Sequence, residues 1–244
     1  MRNIKLIALD MDGTLLNDDG IITPYTKNVI QQVQAKNVAV VLSTGRPLSM
    51  CSSFIQELSL SSYVITANGA EIWTTDGQLV ERHTMDANKV RTLWELGNHY
   101  NVHMWLVATE DIFVDQTVPE NFSDYEWLKF GYGRLSESVK EILLQSILDD
   151  QMLEISNSSL KNIEVTKAGV HKARAIQTVC ERLKIEMNEV MAIGDSLNDL
   201  KMIERVGLGI AVKNAQRKII AAADYVTESN NEDGVAKAIE KFVL

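Results

Sequence analysis

Three short apolar runs, residues 4–9, 38–42 and 63–66, open the chain and are separated by segments of helical period. This alternation constrains the fold more than any other feature. Strands paired in parallel need a crossover of a dozen or more residues, and a helix is the usual way to make one. Thr23-Pro24 predicts the start of the first crossover helix, with Thr23 as N-cap and Pro24 at the first helical position, running to about Lys36. Pro47 predicts the start of a second helix that runs to about Leu58. Asp76-Gly77, between residues 70–73 and 78–82, predicts a hairpin.

The middle of the chain changes character. A helix is expected over residues 86–100, strands over 102–107 and 112–115, and a loop over 117–134. A second helix over 136–148 and strands over 152–155 and 163–166 follow. This is αββ written twice, which predicts a small antiparallel sheet covered by two helices. Residues 84–166 are therefore expected to form a domain inserted between 1–83 and 167–244, where the parallel pattern resumes from His171. The fold class is α/β, with a parallel-sheet core and an inserted α+β domain. Of the four tryptophans, Trp94, Trp105 and Trp127 fall in the insertion. They read as packing of a small domain rather than as a substrate platform.

Charge narrows the function classes. Lys+Arg 24 against Asp+Glu 33 leaves −9 over 244 residues. That balance excludes the diffuse basic surface of a nucleic-acid binder and a polybasic membrane anchor. No apolar run approaches the roughly 18 residues of a membrane span. The stretch 6–9 is cut off at once by Asp10, so no signal peptide is expected. Cys51 and Cys180 have no CxxC spacing and read as inert thiols in a reducing, cytoplasmic setting. His83, His99, His103 and His171 lack any metal-ligand spacing. An acidic protein that handles an anion must concentrate positive charge locally.

The chemistry-bearing residues cluster after strands. Asp10-Met11-Asp12-Gly13-Thr14 follows the first run, where ligands of open parallel sheets bind. Residues i and i+2 of an extended segment point the same way, so both carboxylates can face one site. Adjacent carboxylates repel unless a cation or proton intervenes, and oxygen-only ligands favour Mg²⁺. One carboxylate can then serve as nucleophile and the other as general acid/base. Gly194-Asp195-Ser196-Leu197-Asn198-Asp199 has the same placement after residues 190–193. Capping explains Asp195 or Asn198 singly but not the recurrence of the arrangement. Asp195 is expected to complete a metal site with Asp10, and Asp199 to lie one step further out.

Ser43-Thr44-Gly45-Arg46 combines a hydroxyl, a glycine and a following helix start, the elements of a phosphate-binding corner, with Arg46 as a fork donor. Lys172 lies in a first helical turn, against the macrodipole preference. It is either a surface lysine or a group that neutralises charge at the site. Asn68-Gly69 is either a tight turn or a contact with the cleft.

Together these segments resemble the motifs of the haloacid dehalogenase superfamily, specifically its Cof-type phosphatases with an αββ-repeat (type IIB) cap. The residues that carry the resemblance are Asp10 to Thr14, Thr44-Gly45-Arg46, Lys172, and Gly194-Asp195 with Asn198-Asp199; Asn68-Gly69-Ala70 and Asn230 to Val235 agree with it. The resemblance spans nearly the whole chain. It implies a Rossmann-like core with 84–166 as the cap, and a Mg²⁺-dependent phosphatase acting on small phosphorylated metabolites such as sugar phosphates, nucleotides or cofactor precursors. By similarity Asp10 attacks phosphorus to form an aspartyl-phosphate and Asp12 is the acid/base. Mg²⁺ would be held by Asp10, the Asp12 main-chain carbonyl and Asp195. Phosphate would meet the Met11 N–H, Thr44, Gly45, Lys172 and Asn198. Phosphohexomutases of the same superfamily and non-hydrolytic phospho-acceptors are the alternatives. Two departures stand out: Ala173 replaces the usual glycine after the lysine, and Val212-Lys213-Asn214-Ala215 stands where Met-Gly-Asn-Ala is common. Lys213 reads either as an extra cation near the site or as a solvated surface lysine.

Overall fold

The computed structural model describes residues 3–244. In chain order the elements are β1 (Leu6–Leu9), α1 (Pro24–Ala35), β2 (Ala39–Ser43), α2 (Ser52–Glu57), β3 (Tyr63–Thr66), β4 (Glu71–Thr74) and β5 (Leu79–Arg82). Next come α3 (Ala87–His99), β6 (His103–Ala108), β7 (Ile112–Val114), β8 (Trp127–Gly133), α4 (Glu137–Ile147), β9 (Leu153–Ser156) and β10 (Ile163–Lys167). The chain closes with α5 (Lys172–Leu183), β11 (Val190–Gly194), α6 (Leu200–Arg205), β12 (Leu208–Ala211), α7 (Arg217–Ala222), β13 (Tyr225–Val226) and α8 (Gly234–Phe242).

An eight-stranded sheet runs β13-β12-β11-β1-β2-β3-β4-β5. It is parallel from β13 to β3, and β4 and β5 add the expected hairpin antiparallel at one edge. β1 and β11 are fully buried, which is why both read as unbroken apolar runs. From β1 the chain crosses to β2 on one side and, much later, to β11 on the other. Strand order reverses at β1, and the crevice beyond its carboxyl end is where the acidic loops emerge. The first helix forms as its sequence dictates: Thr23 accepts from the Thr26 N–H and Pro24 opens the first turn. The segment after Pro47 differs from the expectation. Pro47 stays extended, a 3₁₀ turn covers Leu48–Met50, and α2 begins only at Ser52. Back-bonding of Ser52 Oγ to the Leu48 carbonyl at 3.3 Å favours such a bend.

The second sheet is antiparallel and five-stranded, ordered β7-β6-β8-β10-β9. The sequence predicts four strands, and the difference is β8, which falls in the stretch expected to be loop. It is the middle strand, buried at every position and paired with β6 and β10. Its sequence, Trp-Leu-Lys-Phe-Gly-Tyr-Gly, carries two glycines and a lysine, all poor strand formers. Phe130 and Tyr132 pack among α3 and α4, with the Tyr132 hydroxyl donating to the Leu93 carbonyl at 2.6 Å. Lys129, on the opposite face, reaches the core. With both faces covered, the alternation that marks a half-exposed strand is absent. The order is therefore αβββαββ rather than αββαββ. Trp127 is fully buried and Trp94 packs on Phe122 at 5.8 Å, as expected of packing residues; Trp105 is half-buried and lines a cavity. Among the described residues no helix is long and apolar enough to cross a membrane.

Candidate active site

The site begins where β1 runs out. The Asp10 N–H continues the ladder to the Ile193 carbonyl at 3.1 Å, so the Asp10 side chain is placed by the sheet itself. Gly13 takes φ +80°, and a Cβ there would stand 2.9 Å from Asp195 Oδ2. Only glycine lets the two acidic loops approach this closely. Gly194 plays the matching part in the other loop, where a Cβ would lie 2.6 Å from the Asp199 Cβ.

Lys172 holds these loops together. It opens α5 behind the N-cap His171, whose Nδ1 accepts from the Arg174 N–H at 3.1 Å. Its side chain is fully buried, and Nζ donates to Asp10 Oδ1 at 2.6 Å and to Asp199 Oδ1 at 2.7 Å. Of the two readings open at the sequence level, the surface lysine is excluded. Burial alone would lower the Lys172 ammonium, but the two carboxylates outweigh it and the group is held above its ordinary value. Two ion pairs compensate for the unfavourable position in a first helical turn.

Asp199 spends both oxygens inside the protein: Oδ1 on Lys172, and Oδ2 on the N–H groups of Asp195 and Ser196 at 3.0 and 3.1 Å. It anchors the loop. Asp10 differs, because its Oδ2 is buried with no hydrogen-bond partner among the described residues. Asp195 keeps Oδ1 uncommitted while Oδ2 accepts from Ser196 Oγ at 2.8 Å. Ligand atoms of Asp10, Asp195 and Asp199 all lie within 4.8 Å of one another. Burial, then the charge of Asp199, raises the Asp10 carboxyl well above the usual range against the pull of Lys172. The same two causes push Asp195 up to about 7. Three carboxylates around one ammonium leave negative charge uncompensated, and a buried oxygen without a partner leaves a ligand atom uncommitted. Both observations fit a cation.

The Asp12 carboxylate is turned away from this cluster. Arg46 grips it in a fork, Nε to Oδ2 at 2.8 Å and Nη2 to Oδ1 at 2.5 Å. Thr44 is buried, and its hydroxyl accepts from the Arg46 N–H at 3.1 Å, which shapes the corner that Gly45 completes. Met11 and Asn198 are buried alongside. Asn68, in the left-handed region at φ +58°, accepts from Asn198 Nδ2 at 3.2 Å, so the turn does contact the cleft. Asn198 Oδ1 has no hydrogen-bond partner among the described residues. Lys213 pairs with the exposed Glu228 at 3.4 Å and does not line the cavity, in keeping with a solvated lysine. Burial pushes the Cys51 and Cys180 thiols up to about 12 and 11, as expected of inert groups.

Two residues at the site escaped sequence reasoning. Lys129 of β8 donates to the Gly45 carbonyl at 2.7 Å and to Glu164 of β10 at 3.2 Å. Glu164 also accepts from Asn68 at 2.6 Å and Ser158 at 3.0 Å. Burial alone would raise Glu164, yet Lys129 and these donors hold it below its ordinary value. This bridge ties the second sheet to the corner at Gly45. The signal for Lys129 was a lysine flanked by Leu128 and Phe130, legible only to a reader who accepts that stretch as a strand. A cavity of about 400 Å³ lies between the two sheets; Asp10, Asp12 and Asp195 line it from the core, and Trp105 and Lys129 from the second sheet.

The comparisons agree with this architecture. A model of the haloacid dehalogenase-like hydrolase family matches residues 7–142 and 133–239. The 5-amino-6-(5-phospho-D-ribitylamino)uracil phosphatase YcsE of Bacillus subtilis is 45% identical over 242 residues, covering 99% of this chain and 97% of that one. A second B. subtilis protein of the same described activity, YitU, is 30% identical over 261 residues, 97% of each chain. A solved haloacid dehalogenase-like hydrolase from B. subtilis superposes with a TM-score of 0.91 at 26% identity, over 99% of this chain and 100% of that one. With its parallel core, antiparallel second sheet and acidic strand-end loops, the chain belongs to the haloacid dehalogenase-like hydrolases, as one of their phosphatases.

Proposed function

We propose that the chain dephosphorylates a pyrimidine carrying a phosphorylated ribityl chain, the substrate type named for its two relatives, with residues 84–166 acting as the cap. The observation that carries the catalytic part is Asp10, which lines the cavity: one oxygen is neutralised by Lys172, and the other is buried and has no hydrogen-bond partner among the described residues. In the first step a carboxylate oxygen of Asp10 attacks phosphorus, the bond to the ribityl oxygen breaks, and Asp12 gives its proton to that oxygen. In the second, Asp12 takes a proton from water as the water oxygen attacks phosphorus, and Asp10 departs as a carboxylate. Arg46 must release Asp12 before that carboxyl can carry a proton, and an incoming phosphate offers the guanidinium another acceptor. Lys172, Thr44, Gly45, the Met11 N–H and Asn198 surround the place where negative charge develops.

Asp10, Asp195 and the Asp12 main-chain carbonyl would hold Mg²⁺, with Asp199 bracing the loop behind them. Bound there, the ion supplies charge neutralisation for the phosphate and for the attacking carboxylate. The decisive assay is inorganic phosphate release across a panel that includes the ribitylamino-uracil phosphate, hexose phosphates and nucleotides. The expected result is that the first gives the highest kcat/KM. A preference for a hexose phosphate overturns the substrate, and isomerised hexose phosphate without phosphate release overturns hydrolysis.

The raised Asp10 and Asp195 carboxyls make metal binding pH-dependent. Both hold protons well above the ordinary carboxylate range when no ion is bound, so a divalent cation must displace them. Affinity for Mg²⁺ is expected to rise with pH through the interval around 7 in which Asp195 loses its proton. Calorimetric titration in two buffers of different ionisation enthalpy should show proton release at pH 6 and much less at pH 8. Affinity that does not change over this interval removes Asp195 from the ligand set.

A further inference from the structure

One tryptophan of the second sheet is seated unlike the others. Trp105 of β6 stands opposite Gly131 of β8, with Gly133 two residues further along the same face. A Cβ on Gly131 would lie 2.2 Å from both Cε2 and Cζ2 of the indole and 2.8 Å from Cδ2. Near-equal approach to three atoms of the ring system means the indole lies face-down over Gly131. Gly133 makes the remaining room, where a Cβ would lie 2.8 Å from Cζ3. Two glycines in the middle strand of a sheet carry a cost in strand stability. Here they allow an aromatic ring to lie flat on the sheet, and the same indole lines the cavity that also holds Asp10.

We propose that Trp105 is a specificity residue, the platform on which the planar heterocycle of the substrate stacks while its phosphate meets Asp10. This rests on the phosphatase reading above and adds the group that selects the leaving alcohol. The rest of the wall suits a ring better than a sugar. Val107 and Ile112 from the second sheet, and Pro47 and Met50 from the core, contribute apolar surface to the same cavity. The polar groups of the second sheet are committed elsewhere: Glu164 accepts from Lys129, Asn68 and Ser158, and Lys129 donates to Gly45 and Glu164. A sugar needs several uncommitted partners for its hydroxyls, and a π-face needs only another π-face.

The test compares a substrate without the ring, ribitol 5-phosphate, with one that carries it through an amino link at the far end of the same ribityl chain, 5-amino-6-(5-phospho-D-ribitylamino)uracil. Wild type, Trp105→Leu and Trp105→Phe are assayed for phosphate release. For Trp105→Leu, the preference for the ring-bearing substrate, as a ratio of kcat/KM values, should fall about 10- to 100-fold through KM rather than kcat. Trp105→Phe should recover most of that preference. The dephosphorylated ribitylamino-uracil should also quench tryptophan fluorescence in wild type more than in Trp105→Phe. Equal losses on both substrates, or an unchanged ratio, overturn the platform and leave the phosphatase standing. A wild type that releases phosphate from neither substrate overturns the substrate reading and the platform with it.

Discussion

Asp10→Asn should lower kcat for phosphate release by about 10⁴-fold or more, the loss typical when a nucleophile is removed from a machinery that otherwise stays intact. The fold should survive the change. Asp10 is buried, its carboxyl is raised by that burial, and Lys172 keeps its second partner at Asp199. A carboxylate whose native pKa lies above its unfolded value loses stability as pH rises through the interval between them. The amide removes that liability, so the variant at pH 8 should melt no lower than wild type when both are free of metal. Rapid acid quenching with a labelled phosphoester should leave protein-bound, hydroxylamine-labile phosphate on wild type and none on Asp10→Asn. Label retained by the variant would move the nucleophile elsewhere. Asp12→Asn offers a chemical contrast with acetyl phosphate, whose acetate leaving group needs no proton. That variant should still become phosphorylated but hydrolyse the intermediate slowly.

Lys172→Met carries the largest expected effect on stability. It removes the cation that sits between two buried carboxylates, and breaking such a pair from one side costs roughly 3–5 kcal/mol. For a chain of this size that is a fall in Tm of roughly 6–20 °C. The sign of the pH dependence is diagnostic. Without the ammonium, Asp10, already raised by burial, holds its proton in the folded state still more tightly than in the unfolded one. The deficit should therefore be greatest at pH 8 and shrink toward pH 5, as that proton is taken up. Thermal melts of both proteins across this range decide the matter. A deficit below about 1 kcal/mol, or one indifferent to pH, contradicts the burial and pairing assigned to Lys172. Phosphate release should fall together with stability, by at least about 10²-fold, because the charge that neutralises the nucleophile is gone.

The two variants separate functions that adjoin in space. The expectation is that Asp10 proves dispensable for folding and essential for chemistry, whereas Lys172 serves both. The reason is the direction of the desolvation cost. Neutralising a buried carboxylate relieves that cost, and deleting the cation between two of them adds to it.

Much of this molecule follows from local sequence. Thr23-Pro24 caps a helix, Asp76-Gly77 turns a hairpin, and the unbroken apolar runs of β1 and β11 become buried parallel strands, each because the deciding contacts lie within a few residues. The acidic loops were legible for the same reason, since they follow strands whose ends the sequence marks. The partners were not. The bond from Lys172 to Asp10 spans 162 positions, and no local period tells a buried, doubly paired lysine from an exposed one. The fork of Arg46 on Asp12 and the commitment of Asp199 to its own loop are likewise outcomes of chain crossing.

β8 makes the point most sharply. Its glycines and lysine argue for a loop when read along the chain, because strand propensity measures the fit to a half-buried pleated surface. Across the sheet the same residues make sense: Gly131 and Gly133 clear space for the Trp105 ring, and Lys129 reaches the Gly45 carbonyl. Sequence alone determined the α/β class, the parallel core and the loops that carry the carboxylates, because those depend on short-range periodicity and capping. Tertiary structure decided which charges are buried together, which strand lies at the middle of the second sheet and which tryptophan faces the cavity, because each depends on what a neighbouring strand leaves room for.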